Sequence, residues 1–319
     1  VFLGVFCGIA DTAKNTQKHT RFLGVEGGMI DKLRGNLLVL AAAILWGTTG
    51  TSQALAPVGA TPLVIGALRL LVGGLALLVY ALARRSFRQG DALSGLPRRS
   101  LAGAVICMAA YQVLFFGGVA RTGVAVGTIV GIGSSPILGG VLGYLFAGER
   151  PGRPWGIATL LAVVGVGLLA ANGSEIHVDL LGLLMAAGAG GAYAAFTLFN
   201  KQLLNGRRPE AVQAMIFLLS ALLLSPVLLG ANLSWVAQPA GILVVLHLGL
   251  VTLALAYTLF SLGLQRVGVS TAVTLTLAEP MTAAILGVTL LGEALTLQAG
   301  LGIVLIFGGL AFLSIKPQK

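Results

Sequence analysis

The sequence predicts an all-α membrane protein of ten transmembrane helices arranged as two inverted five-helix repeats. Three observations predict it. First, 57% of the residues are apolar and only 9% are charged, against about 25% charge in a soluble domain. Second, the basic residues fall in alternate loops between long apolar runs. Third, the chain repeats itself at a spacing of 144 residues.

A helix needs about 20 apolar residues to cross the hydrocarbon core. The apolar runs place spans 1 to 10 at 36–55, 61–83, 101–120, 124–146, 154–172, 180–200, 210–229, 239–264, 269–291 and 295–315. Turn signals separate them, among them Ala56-Pro57-Val58-Gly59, Gly152-Arg153-Pro154, Asn172-Gly173-Ser174 and Asn232-Leu233-Ser234. The 46 glycines are about twice the usual share. Small residues let helices approach closely in lipid, where no hydrophobic drive gathers them.

The net charge of +10 does not point to nucleic acid, because the cations sit in short interhelical loops. With the N-terminus inside, eighteen Lys and Arg lie on the cytoplasmic side, including Arg84, Arg85, Arg98, Arg99, Arg150, Arg153, Lys201, Arg207, Arg208 and Arg266. Only Arg121 lies outside, and Arg69 is within a span. That asymmetry predicts both termini in the cytoplasm and an even number of spans.

The repeat fixes the architecture. Pro136 matches Pro280, Gly148-Glu149 matches Gly292-Glu293, Gly156 matches Gly300 and Gly165 matches Gly309. In the opening helices Ala42-Ala43 matches Ala186-Ala187, and Gly47 matches Gly191. Five spans per half is an odd number, so the second half enters the membrane from the opposite side. The loops agree: Arg150 and Arg153 have the neutral counterparts Ala294 and Leu297, and Lys201, Arg207 and Arg208 have Pro57, Leu63 and Val64. The expected units are a first repeat at 36–172 and a second, inverted repeat at 180–316. Inverted repeats commonly serve alternating access, with the binding site near the midplane between them.

Residues 1–35 read as a cytoplasmic, poorly ordered extension. Val1 to Ala10 is apolar but too short to span. Met29 reads as the natural start, with a genuine cytoplasmic extension as the alternative. Cys7 and Cys107 are too few for a disulfide framework or a metal site.

With Trp46-Gly47 in span 1, Arg69 in span 2, Pro136 with Gly148-Glu149, and Glu279-Pro280 with Gly292-Glu293, the chain resembles the EamA family of the drug/metabolite transporter superfamily. The resemblance covers about 35–316. Within that superfamily it is most similar to bacterial amino-acid and metabolite exporters of the aromatic amino acid type. The resemblance implies a secondary transporter of the inner membrane, with a cavity lined by spans 1, 3, 4, 6, 8 and 9. It does not identify the substrate.

Ionisable groups inside spans are costly, and each raises a question of function. Arg69, His247 and Glu279 are the three. At about 1.5 Å per residue, Trp46, Arg69, Tyr111, Ser135, His247 and Glu279 fall in one layer near the midplane. Glu279 reads as a protonation or substrate-amine site, or as a structural group bonded to backbone or to Arg69. Arg69 reads as a structural anchor or as a contact for a substrate carboxylate; direct pairing of the two across the bundle is one possibility. His247 reads as a packing residue or as a donor to substrate. Trp46, Tyr111 with Gln112, and Tyr193 are polar-edged groups away from the interfaces, either core or cavity wall. Thr48, Thr49, Thr51 and Ser52, with Ser270, Thr271, Thr274 and Thr276, bond their own helices or face the cavity. Pro136 and Pro280 are expected hinges. Gly127-x3-Gly131 and Gly139-x3-Gly143 suit close packing.

What is missing narrows the function. Phosphorylated sugars would call for several intramembrane cations, and only Arg69 is available. A neutral or zwitterionic, partly apolar substrate is expected, with amino acids, aromatic ones included, ahead of hydrophobic drugs or other metabolites. A channel or facilitator remains an alternative. No Asp pair, Ser–His set or His-x-x-x-His supports an enzyme. Lipid and a small molecule are the expected partners, without nucleic acid, cofactor or metal; the sequence leaves the oligomeric state open and is compatible with a monomer.

Overall fold

In a computed structural model, residues 25–87, 95–170, 179–290 and 296–315 are described. Every regular element among them is helical. Eight helices are long and apolar enough to cross a membrane, and two more, Arg153–Leu168 and Pro209–Leu223, are apolar but shorter. The elements are α1 (Val25–Ala54), α2 (Pro62–Ala83), α3 (Arg98–Ala147), α4 (Arg153–Ala170), α5 (Leu180–Leu203) and α6 (Pro209–Leu223). They continue with α7 (Ser225–Leu229), α8 (Pro239–Leu246), α9 (Ala256–Leu264), α10 (Val269–Leu275), α11 (Ala278–Leu290) and α12 (Leu297–Ile315).

α3 holds spans 3 and 4 and is not one rod. A β-carbon on Gly127 would stand 2.9 Å from the Val119 α-carbon, and one on Gly131 would stand 3.3 Å from the Phe115 ring. Eight residues of straight helix rise about 12 Å, so the chain doubles back between Val119 and Gly127. Gly127 and Gly131 thus serve the turn of a helical hairpin.

The two halves are related as the repeat requires, and the contacts between α4 and α12 display it. A β-carbon on Gly165 would meet Gly302 O at 2.7 Å and the Ile306 side chain at 2.7 Å. A β-carbon on Gly309 would meet Ala158 O at 2.8 Å and Ala162 N at 3.4 Å. Each of these four partners is the other's counterpart at the 144-residue spacing. The same relation joins Gly47 against Thr282 to Gly191 against Leu138. Reciprocal contacts of this kind define a pseudo-two-fold axis.

Asn36 Nδ2 donates to Ser314 O at 3.3 Å, so the start of span 1 and the end of span 10 lie on one face. We call it the terminal face and its opposite the far face. α1 begins at Val25, eleven residues ahead of the expected span edge. Its first turns leave the apolar layer as a polar helix, and Asp31 there accepts from Arg266 Nε at 3.0 Å. The expected extension 1–35 is therefore helical from residue 25, and the part before it lies outside the described residues, as does Gly292-Glu293. At the far face the Asp179 side chain caps α5 by accepting from Gly182 N at 3.0 Å. That bond, with Arg121 nearby, holds its carboxyl below the ordinary range.

Three helices depart from regularity, each for a local reason. Span 7 divides into α6 and α7 because Pro226 can donate no bond and crowds the preceding turn. Span 8 widens into a π-helical stretch at His247–Leu255, a feature with no mark in the sequence. Span 9 divides into α10 and α11 at Thr276–Leu277, one turn before Pro280. Thr276 O is the carbonyl that Pro280 leaves unpaired, and Glu279 N donates to it at 2.9 Å. Pro136, by contrast, sits within an unbroken helix. Its orphaned carbonyl, Ile132 O, accepts from Ser135 Oγ at 2.6 Å.

Buried aromatic and aliphatic groups, including Phe196, Phe199, Phe217 and Phe260, fill the centre of the bundle. A buried polar cluster ties spans 6, 7 and 8 together. Gln213 Nε2 donates to Asn200 Oδ1 at 2.8 Å and to Ser261 Oγ at 2.7 Å. Such bonds join helices in lipid, where a lone polar group is costly.

Candidate functional site

Two small adjoining chambers lie between the repeats. The first is lined by Trp46, Thr49, Arg69, Tyr111, Tyr193, Tyr257 and Glu279. The second is lined by Tyr111, Gly131, Ile132, Ser135, Tyr193, Thr276 and Glu279. Spans 1, 2, 3, 4, 6, 8 and 9 all contribute. Neither chamber leaves more than about 30 Å³ for solvent, room for one or two waters. An organic substrate therefore requires the helices to part.

The chambers sit on the pseudo-two-fold axis. Ser135 and Glu279 are repeat counterparts, each directly before a proline, and both are lining residues. Thr49 and Tyr193 are counterparts as well, and both line the first chamber.

Aromatic rings make up most of the wall. Trp46 packs on Tyr257 at 4.7 Å between centroids and edge-on to Tyr193 at 6.3 Å. Tyr111 lies 5.7 Å from Tyr193. The indole of Trp46 is held in place, because its Nε1 donates to Thr252 O at 2.8 Å. That carbonyl lies in the π-helical stretch, where widening of the helix disturbs the regular ladder; such stretches recur at functional sites. The Tyr193 hydroxyl is buried near Thr276 and makes no hydrogen bond of normal geometry among the described residues.

Two charged side chains face this wall. Arg69 is buried; its Nη2 donates to Gln112 Oε1 at 3.2 Å while its Nε has no partner among the described residues. Gln112 is fully buried behind it and reaches Met108 Sδ through its own amide. Glu279 is half-buried and lines both chambers. Arg69 and Glu279 share the first chamber without an ion pair within 4 Å; among the described residues the ion pairs lie elsewhere, as in Arg121–Asp179 and Lys201–Glu149.

Of the residues singled out in the sequence, Trp46, Thr49, Arg69, Tyr111, Ser135, Tyr193, Thr276 and Glu279 come together at the chamber walls. Three of the expected substrate contacts do not reach the lining. Gln112 stands behind Arg69. Thr48 Oγ1 donates to Leu45 O at 2.7 Å and pairs with His247 Nε2 at 2.9 Å, so these two residues bridge spans 1 and 8 beside the chamber. Tyr257 lines the first chamber and escaped the sequence reading. The criterion that selected Tyr111 and Tyr193, a tyrosine far from both interfaces, applies to it equally.

The sequence profile of the EamA-like transporter family matches residues 33–171 and again 180–315. The chain belongs to this family. Its members are transporters rather than enzymes, and the double match agrees with duplicated halves. The uncharacterized transporter YwfM of Bacillus subtilis (strain 168) is 45% identical over 290 residues, covering 90% of this chain and 97% of that protein. The threonine/homoserine exporter RhtA of Escherichia coli (strain K12) is 34% identical over 160 residues, 48% of this chain and 51% of that protein. A probable amino-acid metabolite efflux pump of Salmonella typhimurium is 27% identical over 259 residues, covering 68% and 86%. A solved crystal structure, 20% identical, superposes with a TM-score of 0.76 over 87% of this chain and 95% of that one, which establishes the shared fold.

Proposed function

We propose that this transporter exports small amphipathic metabolites, amino acids with aromatic ones among them, by alternating access around the axial chamber. One observation carries the reading: Arg69 and Glu279 face the same chamber, unpaired with each other, between four polar-edged rings. A zwitterion matches that arrangement. Its carboxylate takes the free donors of Arg69, its ammonium takes Glu279, and its side chain lies against Trp46, Tyr111, Tyr193 and Tyr257. Phosphorylated substrates are disfavoured, since a single cation is on hand. Relatives named as a threonine/homoserine exporter and as a probable amino-acid metabolite efflux pump support the same substrate class.

The terminal face is cytoplasmic in this reading, with the protein in a bacterial inner membrane. The excess of Lys and Arg on that side supports it. Purified protein in liposomes, given a panel of radiolabelled amino acids with and without a pH gradient, tests the proposal. Saturable flux of apolar or aromatic amino acids is expected. Absence of saturable flux for every amino acid would overturn it.

A further inference from the structure

Buried apolar side chains separate the chamber from the terminal face, and a polar stretch of α1 lies on its far side. Between it and the terminal face lie Phe196, Phe260, Leu264 and Leu275, all with 0% exposure. Every residue from Val269 to Ala278 on span 9 is buried. Toward the far face, α1 carries Thr48, Thr49, Thr51, Ser52 and Gln53, all partly exposed, with Gly50 exposed. So polar a stretch belongs against water rather than lipid.

Spans 4 and 9, one from each repeat, close the terminal-face end. A β-carbon on Gly139 would meet the Val273 side chain at 3.1 Å. Beyond Thr276 span 9 turns to α1, α12 and α4 instead, without comparable packing on span 4 among the described residues.

At the terminal end of this seam stands Glu149. Gly148, in the left-handed region at φ 65°, ends α3 and turns the chain back, and Glu149 N donates to Gly143 O at 3.0 Å. The Glu149 carboxylate then reaches across to the other repeat. It accepts from Val269 N at 2.5 Å, from Ser270 N at 3.0 Å and from Ser270 Oγ at 2.8 Å. Lys201, whose amine donates to Val267 O, lies 3.7 Å from the same carboxylate. Gly143 and Gly268 make the space, since a β-carbon on either would come within 2.8 Å of the carboxylate.

Span 9 depends on this carboxylate. The first N–H groups of a helix have no partner within it, and a Ser, Asp or Asn at the N-cap position ordinarily supplies one. Here that position is Gly268, which has no side chain to offer. The cap comes instead from the opposite repeat. Parting of the two repeats at this face must pull Glu149 off.

We propose that the Glu149 carboxylate is the latch of the terminal-face gate, holding the chamber shut there until it releases the start of span 9. This inference rests on the alternating-access part of the reading above and not on the identity of the substrate.

The test reads gate opening without any substrate. In protein lacking Cys7 and Cys107, Val273→Cys places a thiol in the buried seam, and labelling by a bulky maleimide is timed in nanodiscs. Glu149→Gln removes the charge that binds three donors and a lysine. It is expected to speed labelling at least tenfold, the order that a charge-assisted hydrogen bond sets on an equilibrium. Gly268→Ser gives span 9 its own cap and displaces the carboxylate, and it is expected to do the same with the helix intact. This second variant decides the matter if Glu149→Gln does not fold. A reporter in the α4–α12 contact, Val166→Cys, is expected to keep its labelling rate. Unchanged labelling at position 273 in folded variants would overturn the proposal, as would an equal rise at position 166. Failure of amino-acid flux in liposomes would leave this result untouched.

Discussion

Arg69 offers the sharpest test of the substrate reading. Its guanidinium carries five N–H donors, of which one is engaged by Gln112 and Nε has no partner among the described residues. A substrate carboxylate arriving in the chamber meets donors that are already desolvated. A hydrogen bond to a charged group contributes about 1.5–3 kcal/mol, and a bidentate contact adds geometric fit. Removing it by Arg69→Gln is expected to cost about 2–3 kcal/mol, or roughly 30- to 150-fold in affinity. The loss should fall only on ligands that have a carboxylate. Binding of phenylalanine and of phenethylamine, which has the same ring and amine but no carboxylate, is measured by titration calorimetry on parent and variant. Phenylalanine should weaken by that factor and phenethylamine by less than about threefold, so that the preference for the amino acid disappears. Equal losses for both ligands would refute the carboxylate contact and leave Arg69 as a structural anchor for Gln112.

Other consequences are equally direct. Paired Gly139→Cys and Val273→Cys substitutions place two thiols across the terminal seam at a separation near that of a disulfide; transport should stop on oxidation and return on reduction. His247→Ala should retain saturable transport within about fivefold, since it loses one neutral bond to Thr48 outside the chamber wall. Trp46→Phe keeps the ring but loses the bond to Thr252 O, which should lower the melting temperature by about 2–4 °C through ~1 kcal/mol. Gly309→Ala should destabilise by about 1–3 kcal/mol through overpacking against α4. Its neighbour Gly308→Ala, with open space around it, should be neutral or stabilising in the same thermal scan.

The fold was legible because its determinants are periodic and local. Apolar length set the spans, alternate basic loops set their parity, and the 144-residue spacing set the relation between halves. The site was legible only where the membrane makes a residue conspicuous. Arg69, Glu279, Trp46, Tyr111 and Tyr193 stand out because polar atoms there must find a partner. What the sequence does not encode locally is which way a helix face turns. His247 and Gln112 share the depth of the chamber, yet one bonds Thr48 and the other supports Arg69. The π-helical stretch that presents Thr252 O to Trp46 holds no proline, and its one glycine, Gly249, serves the close approach of Val72. Glu149 shows a related blindness: its repetition in Gly292-Glu293 marked it as important, but its partner lies 120 residues away in the chain.

The axial position of the chamber constrains how transport can work. A substrate on a pseudo-two-fold axis meets the counterpart positions of both repeats, so the wall can serve an opening toward either face. Here the counterparts differ in chemistry: Ser135 faces Glu279, and Thr49 faces Tyr193. The scaffold is symmetric while the charge is not. Glu279 lies in the first turn after the break in span 9, between the capped segment α10 and the proline. A rotation about Thr276–Leu277 would move α10 and its seam with span 4 while leaving the carboxylate near the axis. The carboxylate proposed to take the substrate's ammonium would then remain in place as access changes from one face to the other. In the proposed cycle an inverted repeat with one carboxylate at its hinge would let the helices exchange roles while the charge stays in place.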